Sequence, residues 1–472
     1  MPVPRTFAQC LTSLMQERQL TASALGARIG MRADLRRVLE DEATPSRQAA
    51  VFRRLCEGAF FSEAQQQQLR DALEVSRMGI DRYLTFTSMN KLLGFAPMDA
   101  HAEPRVLGGE ALSRYFETWV QSDCLDIILI NGCHPALLGA LATLFSDRNR
   151  PMRMDHYVQL DKPGNDPASF LLSAAPMLFD PRYTPYGVHA SIANQHEITG
   201  HFLLVRAVRG DRTRQWFFLI NADATAYELA NAGRVDIFAF VQRILGDLTP
   251  SPLMLKEFQS GKPDYLSFLM QCLRRELNRS TYSLSSNLCL CKTPTDILLN
   301  SFYEGGVMPF QDVEKMINKA LPVFKKRYYN WFHRSKPVYD IFTSQGVDTL
   351  METGCLCDHF FAMRPFTPAE RLEILRQQLL FAQANPRYDM RMLKREYSPR
   401  FLFVCYENLC VSLVPSSVDY NLTNGYDQVT FSMPGFVRLL REYFLEVLVP
   451  NYCHTREASL EYLRQALARY GG

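Results

Sequence analysis

The chain has 472 residues, of which 47% are hydrophobic and 21% are charged, and its formal net charge is +3. This length accommodates three or four domains, and the composition excludes a disordered chain. The near-neutral charge also excludes a polycationic surface, so any nucleic-acid affinity must be local. No apolar run approaches the roughly 20 residues that cross a bilayer, and the N-terminus lacks a signal segment, so we expect a cytoplasmic protein without membrane contact.

The N-terminal sequence begins with helical apolar spacing. The first stripe comprises Phe7, Leu11, Leu14 and Met15. A second helix is predicted within residues 20–30, where Leu25 and Ile29 share one face. In that helix Gly26 allows a second helix to approach closely, and Gly30 supplies the turn that ends it. This pattern is typical of the first half of a helix-turn-helix.

A candidate recognition helix follows the turn at Gly30. Its apolar positions are Leu35, Val38 and Leu39, and it ends before Thr44-Pro45. Val51, Phe52 and Leu55 mark a fourth helix, and Ser62 with Gln65 forms a capping box that opens a fifth. The sequence therefore predicts an all-α helix-turn-helix domain over residues 1–80.

The order of these parts resembles the lambda-repressor/Cro (XRE-like) family of helix-turn-helix domains over roughly residues 5–75. The matching positions are Leu20, Thr21, Leu25, Gly26, Ile29, Gly30, Pro45 and Ser46. Ala22 and Arg32 depart from the family pattern, and the interval from Gly30 to Pro45 is one residue shorter than usual, which leaves the register of the recognition helix open. The resemblance implies a DNA-binding head on a one-component bacterial transcriptional regulator.

Six residues form the predicted DNA-binding set. They are Thr21, Arg32, Asp34, Arg36, Arg37 and Arg47. Arginine can clamp a phosphate or read guanine in the major groove. The alternative is that these arginines are solvated and balanced by neighbouring acids. Residues 1–80 contain eleven arginines, no lysine and nine acidic residues, a net charge of only +2, so the electrostatic signal for DNA is modest.

A linker is predicted over residues 81–109, and the region after it has a different sequence pattern from the N-terminal domain. Residues 110–260 are predicted to form an α/β sensor domain. Its elements are a strand at 125–130, a turn at Asn131-Gly132, a helix at 135–145, a strand near 157–160, a hairpin formed by 202–208 and 215–221, and a helix at 237–245. Such alternation of strands and helices is typical of a mixed α/β sheet.

The rest of the chain divides into two predicted regions. Residues 261–385 have mainly helical periodicity and are predicted to be a connecting layer, while residues 386–472 are predicted to form a C-terminal α/β module. That module has the same order of hairpin and helix as residues 202–245. An internal repeat and coincidence of common secondary structure both account for this likeness.

No metal site is predicted. The histidines His189, His196 and His201 lack the spacing of a zinc-protease helix and are interpreted as surface residues. Two cysteine pairs and a nearby histidine invite comparison with zinc sites: Cys289 and Cys291, then Cys355 and Cys357 with His359. Only one residue separates the cysteines of each pair, which favours reduced thiols, although metal binding stays open. The twelve cysteines of the chain fit reduced thiols better than disulfides.

No phosphate loop, dinucleotide-binding glycine pattern or serine elbow is present, so the sequence predicts neither catalytic residues nor a cofactor, and the chain is not expected to be an enzyme. The predicted function is sequence-specific transcriptional regulation by a homodimer that binds double-stranded DNA, with an unknown small-molecule or peptide effector. The alternative is an interaction scaffold or an enzyme whose helix-turn-helix-like head does not bind DNA.

Overall fold

A computed structural model divides the chain into two compact units, Met1–Ser88 and Met89–Gly472. It has helices at the N-terminus and two mixed sheets in the body, so the predicted multidomain chain with an α/β body is confirmed at this level. The described residues are 5–93, 95, 110–131, 133–147, 149–159, 167–188, 200–221, 226–228, 236–247, 251–256, 271, 274–276, 279–288, 293–294, 296–297, 300–301, 318, 322, 336–355, 364–416 and 428–471.

The first unit is helical. Its helices are α1 (Phe7–Glu17), α2 (Ala22–Ile29), α3 (Arg32–Leu39), α4 (Pro45–Glu57), α5 (Glu63–Met78) and the start of α6 (Ile80–Leu93). Capping boxes at Thr6 and Ser62 satisfy backbone N–H groups that open α1 and α5. Gly30 ends α2 in the left-handed conformation at a φ of 71°, which glycine adopts without steric cost.

The apolar stripes of these helices close around one core. Its fully buried members include Phe7, Leu11, Leu25, Leu35, Val38, Val51, Leu55 and Leu69. Gly26 of α2 allows α3 to come close, because a Cβ at this position would lie 3.0 Å from Arg32 Cα. The first unit therefore has a hydrophobic core of its own.

The predicted linker over residues 81–109 is wrong at its beginning, since α6 continues to Leu93. The composition of residues 81–93 is mixed, and their apolar residues do not concentrate on one helical face. Hydrophobic periodicity therefore does not indicate a helix here. In the second unit α7 (Glu110–Val120) precedes the first sheet. No helix within the described ranges has the length and apolar character needed to cross a bilayer.

The first sheet has seven strands in the order β6-β5-β4-β1-β2-β3-β7. The strands are β1 (Cys124–Ile130), β2 (Met152–Val158), β3 (Tyr183–Gly187), β4 (His201–Arg209), β5 (Arg212–Ile220), β6 (Ala226–Glu228) and β7 (Ser251–Pro252). Helices α8 (Pro135–Thr143) and α9 (Pro167–Ala174) connect β1 to β2 and β2 to β3, which are therefore parallel. The other neighbouring pairs are antiparallel. Helix α10 (Ile237–Asp247) follows β6 in the chain.

The second sheet also has seven strands, in the order β11-β10-β9-β12-β13-β14-β8. They are β8 (Met254–Lys256), β9 (Thr281–Leu284), β10 (Val338–Thr343), β11 (Tyr388–Leu393), β12 (Phe401–Tyr406), β13 (Cys410–Pro415) and β14 (Val429–Phe431). Helices α11 (Ser344–Thr353), α12 (Pro368–Ala384), α13 (Pro434–Tyr443) and α14 (Arg456–Gly471) accompany them, and a π-helical segment spans Phe444–Tyr452.

The predicted helical connecting region over residues 261–385 is therefore wrong at two places. Strands β9 and β10 lie within it and pair with each other and with strands that follow residue 385. Consequently residues 386–472 do not form a sheet of their own. Short strands whose partners are far along the chain leave little local periodicity, because pairing rather than propensity stabilises them.

Six strands of each sheet follow the same order. The first sheet reads β6-β5-β4-β1-β2-β3 and the second reads β14-β13-β12-β9-β10-β11, with three parallel strands followed by an antiparallel meander in each. The seventh strand differs, since β7 pairs with β3 whereas β8 pairs with β14. The segment 251–256 thus contributes an edge strand to both sheets.

Candidate active site

The candidate active site lies at the carboxyl edge of the first sheet. Strands β1, β2 and β3 run parallel and end at this edge, while the antiparallel β4 begins there. In the sheet, β2 lies on one side of β1 and β4 lies on the other side. Open α/β sheets bind ligands outside the carboxyl ends of their strands where connections diverge in this way.

Asn131 is the central buried residue of the candidate active site. It follows β1 directly, is 1% exposed and has a left-handed φ of 56°, which asparagine tolerates better than most residues. Its side-chain nitrogen donates to the Gly200 carbonyl oxygen at 3.1 Å, and its side-chain oxygen accepts from the Gln159 backbone N–H at 3.2 Å. Gln159 follows β2 and Gly200 precedes β4. Asn131 therefore holds the ends of three neighbouring strands together.

His201 is the first residue of β4 and is half-buried. Its Nδ1 lies 2.7 Å from the Asn131 backbone carbonyl oxygen. A carbonyl oxygen only accepts, so this hydrogen bond requires the proton on Nδ1 and leaves the lone pair of the neutral ring on Nε2. The geometry therefore orients the imidazole of His201 with Nε2 as a proton acceptor.

His134 has the opposite tautomer. It is half-buried and caps α8, and its Nδ1 accepts a hydrogen bond from the Ala136 backbone N–H at 3.2 Å. A nitrogen that accepts carries the lone pair, so Nε2 of the neutral ring carries the proton. The edge of β1 thus holds one imidazole whose Nε2 can accept a proton and another whose Nε2–H can donate a hydrogen bond.

Cys133 lies between these groups in the chain and is not a reactive thiolate. Burial raises the pKa of the Cys133 thiol to about 12. The thiolate is the nucleophilic form of cysteine, so this thiol is unreactive near neutral pH. The Cys133 backbone N–H donates to the Asn131 carbonyl oxygen at 2.7 Å, which adds a second hydrogen bond to the oxygen that orients His201.

A third histidine is fully buried on β2. Nδ1 of His156 lies 2.9 Å from Tyr183 Oη, and its ring packs edge-on against Phe170. Burial lowers the pKa of His156 to about 3 and raises the pKa of Tyr183 well above its usual value, so both groups are neutral. Within the described residues His156 Nε2 has no hydrogen-bond partner. This histidine belongs to the core and cannot supply a proton at neutral pH.

The sequence predicts a turn and a helix here but no site, and it predicts a surface position for His201. The available signal was a cluster of polar residues directly after a buried strand, Asn131, Cys133 and His134. The contribution of His201 depends on the pairing of β4 with β1, a contact between residues about 70 positions apart.

The six predicted DNA-binding residues lie on the first unit. Thr21 caps its own helix, since its hydroxyl accepts from the Ala24 backbone N–H at 3.2 Å. Arg36 forms a salt bridge to Glu40 at 2.8 Å, and Arg47 lies 3.9 Å from Asp34. Arg32 and Arg37 are exposed on α3. Four of the six residues therefore have partners within the unit.

The structure shows no metal arrangement for the sequence-predicted candidates that it describes. Within the described ranges, no group of three or more His, Cys, Asp or Glu side chains can hold a metal ion. The described members of the candidate sets are His201 and Cys355, and Cys355 is a free thiol. The others lie outside the described residues: His189, His196, Cys289, Cys291, Cys357 and His359.

Comparisons with known proteins give few matches. No family model matches the chain, and no curated protein matches it. Among solved structures, phosphatidylserine synthase of Haemophilus influenzae Rd KW20 is similar at 10% sequence identity and a TM-score of 0.26. The match covers 77% of this chain and 90% of that chain. At this TM-score the likeness gives the present chain neither a fold nor an activity.

These comparisons correct the predicted function. The prediction of a sequence-specific DNA-binding transcriptional regulator finds no support in them and is not retained, since no family model and no curated protein matches the chain. No family model matches residues 5–75, where the resemblance to the lambda-repressor family was seen. The ion pairs of Arg36 and Arg47 fit the alternative stated above, in which acids balance these arginines. The homodimer and the effector stay predictions.

Proposed function

We propose that the second unit is an enzyme that performs general acid–base chemistry on a small molecule at the carboxyl edge of the first sheet. The supporting observation is the pair of opposite tautomers, fixed by the hydrogen bond from His201 Nδ1 to Asn131 and the hydrogen bond to His134 Nδ1 from Ala136. Oriented imidazoles are the most common general acids and bases in enzymes. This proposal follows the enzyme alternative rather than the regulator.

The two histidines have different roles in this proposal. His201 Nε2 removes a proton from a bound water or a substrate hydroxyl, and the resulting positive charge spreads over a ring whose Nδ1–H already binds a carbonyl oxygen. His134 Nε2–H donates a hydrogen bond to the substrate oxygen on which negative charge develops, and it keeps its proton because its ring is neutral. The proton that His201 takes then passes to the oxygen that leaves, which restores the neutral ring of His201. Asn131 is a positioning residue, because it orients His201 through its backbone carbonyl.

The first prediction tests these two histidines with p-nitrophenyl acetate, an ester that reports an accessible basic imidazole. We expect the full chain to hydrolyse it and the His201→Asn variant to lose about 100-fold in rate. Asparagine can keep the hydrogen bond to the Asn131 carbonyl oxygen but has no equivalent of Nε2. His134→Asp should also lose rate, because aspartate preserves the helix cap while removing the hydrogen-bond donor.

His454 provides the matched control. It is half-buried in the second unit, and its backbone N–H, rather than its ring, has the described hydrogen bond. His454→Asn should leave the rate unchanged, whereas a general effect of histidine number would reduce all three variants equally. Ring ¹⁵N shifts, which distinguish the tautomers, should show protonated Nδ1 for His201 and protonated Nε2 for His134. Equal rates in the wild type and His201→Asn would contradict the proposal.

A further inference from the structure

Two of the backbone donors with which a helix could bind a phosphate are missing or occupied at the start of α8. A helix that binds a phosphate turns several free N–H groups of its first turn toward the anion. In α8 the first position is Pro135, which has no N–H, and the N–H of Ala136 is bound to His134 Nδ1 at 3.2 Å. The N–H of Leu138 donates to the His134 carbonyl oxygen within the helix. His134 Nδ1 therefore holds a donor that an anion would otherwise contact.

The same cap requires the uncharged form of the His134 ring. Nδ1 accepts the Ala136 N–H through its lone pair, so a proton on Nδ1 would place two donors against each other and break the cap. A cationic imidazole at this position would therefore lose the hydrogen bond that orients it. The imidazolium is the form of histidine that pairs with a phosphate, whereas the form held here presents one neutral donor, Nε2–H.

A single neutral donor is suited to an oxygen whose charge appears only in the transition state. The oxygens of a phosphate ester are charged before reaction and are usually held by arginine, lysine or a metal ion. A carbonyl oxygen gains negative charge only when the carbonyl carbon is attacked, so a donor beside it stabilises the transition state more than the bound substrate. The described residues that follow β1, β2 and β3 or adjoin the start of β4 include no lysine or arginine. They are Asn131, Cys133, Gln159, Val188, Gly200 and His201.

We infer that the substrate of the candidate active site is an uncharged carboxylic ester rather than a phosphate ester, an inference that rests on the acid–base function proposed above. His134 Nε2–H binds the carbonyl oxygen of the ester, and His201 Nε2 binds the attacking water. Asn131 links the two histidines. Its carbonyl oxygen accepts from His201 Nδ1 at 2.7 Å and from the backbone N–H of Cys133, the residue before His134, at 2.7 Å.

The reaction at these two positions is ester hydrolysis. His201 Nε2 takes a proton from water as the water oxygen bonds to the carbonyl carbon, and the π electrons of the carbonyl move to its oxygen beside His134 Nε2–H. When the carbonyl forms again, the bond between this carbon and the alkoxy oxygen breaks, and the proton on His201 passes to the leaving oxygen. One ester and one water thus give one acid and one alcohol, and both rings return to their starting tautomers.

The second prediction compares uncharged and anionic compounds on the full chain. p-Nitrophenyl acetate, p-nitrophenyl phosphate and bis(p-nitrophenyl) phosphate release the same coloured product, and we expect His201→Asn to reduce hydrolysis of the acetate alone. Trifluoroacetophenone, an uncharged ketone that adds water to form a tetrahedral hydrate, should inhibit acetate hydrolysis with an inhibition constant about 100-fold lower than that of phenyl phosphate. Hydrolysis of a phosphate ester that depends on His201, or stronger inhibition by phenyl phosphate, would overturn this inference but not the acid–base function. If none of the three esters is hydrolysed in a His201-dependent way, the proposed function itself is wrong.

Two variants of His134 test the neutral donor. Asparagine caps a helix through its side-chain oxygen and keeps an N–H donor, so His134→Asn should retain acetate hydrolysis within about tenfold of the wild type. Aspartate caps equally well but has no donor, so His134→Asp should lose about 100-fold in kcat. His454→Asn is again the matched control and should leave kcat and KM unchanged. Equal losses in His134→Asn and His134→Asp would contradict the placement of the carbonyl oxygen at His134.

Discussion

The Gly346→Ala variant should lose about 3 kcal/mol or more of stability in the second unit. Gly346 lies in the first turn of α11, where an added Cβ would collide with the Ser286 carbonyl group and lie 3.2 Å from Asn287 Cα. The Ser286 oxygen also accepts a hydrogen bond from Thr343 Oγ1 at 2.8 Å, so it cannot move away without losing that contact. Thermal unfolding monitored by circular dichroism measures the effect as a lowered midpoint.

A second glycine supplies the control for this prediction. Gly139 lies in the interior of α8, and a Cβ built there meets no atom within 4 Å. Gly139→Ala should therefore stabilise the protein by up to about 1 kcal/mol, because alanine has the higher helix propensity. The two identical substitutions are expected to shift the midpoint in opposite directions. Similar shifts would show that the close approach of α11 to Ser286 does not constrain the fold.

The Asp340→Ala variant should lose about 3 kcal/mol of stability. Asp340 is 3% exposed in the middle of β10, and its carboxylate accepts hydrogen bonds from Tyr388 Oη at 2.6 Å and Ser283 Oγ at 2.8 Å. Gln378 Nε2 donates in turn to Tyr388 Oη at 2.8 Å. Alanine would remove this acceptor from the buried Tyr388 hydroxyl, and loss of a buried hydrogen-bond partner costs the desolvation of the donor. Ser283 is half-buried, and its hydroxyl also lies 3.2 Å from the Tyr339 carbonyl oxygen.

Two further variants separate the network from simple loss of packing. Tyr388→Phe keeps the ring in the core and removes one donor to Asp340, so it should cost about 1 kcal/mol. Combining Asp340→Ala with Tyr388→Phe should cost less than the sum of the single changes, because the double variant leaves fewer unpaired donors. Urea unfolding gives all three values. Strict additivity would contradict a coupled network.

Strand β1 was predictable because its sequence is a continuous apolar run interrupted once by Asp126, and the structure places it at Cys124–Ile130. Strand β9 was not, since its four residues, TYSL, are too short to establish alternation. Strand β10 contains the buried carboxylate of Asp340, although an aspartate in a sequence usually indicates a solvent-exposed position. Its hydrogen bonds from Ser283 and Tyr388 make burial tolerable, and both partners are about 50 residues away.

The same limit applies to the candidate active site. The polar residues after β1 are adjacent in sequence, and the strand before them was recognised. Which ring nitrogen of His201 carries the proton depends on the Asn131 carbonyl oxygen, a partner brought close by the pairing of β1 with β4. In the first unit, Arg36 and Arg47 are typical of DNA contacts by residue type alone. Glu40 lies four residues after Arg36, a spacing that the sequence shows, whereas the proximity of Arg47 to Asp34 appears only when the helices are placed.

The segment 251–256 limits how the chain can be divided. It pairs with Tyr186 and Gly187 of the first sheet through β7 and with Val429–Phe431 of the second through β8. Loss of β7 or β8 on cutting this segment would expose unpaired backbone of β3 or β14, which favours aggregation. Fragments that separate the two six-strand arrangements at this point are therefore poor choices for expression.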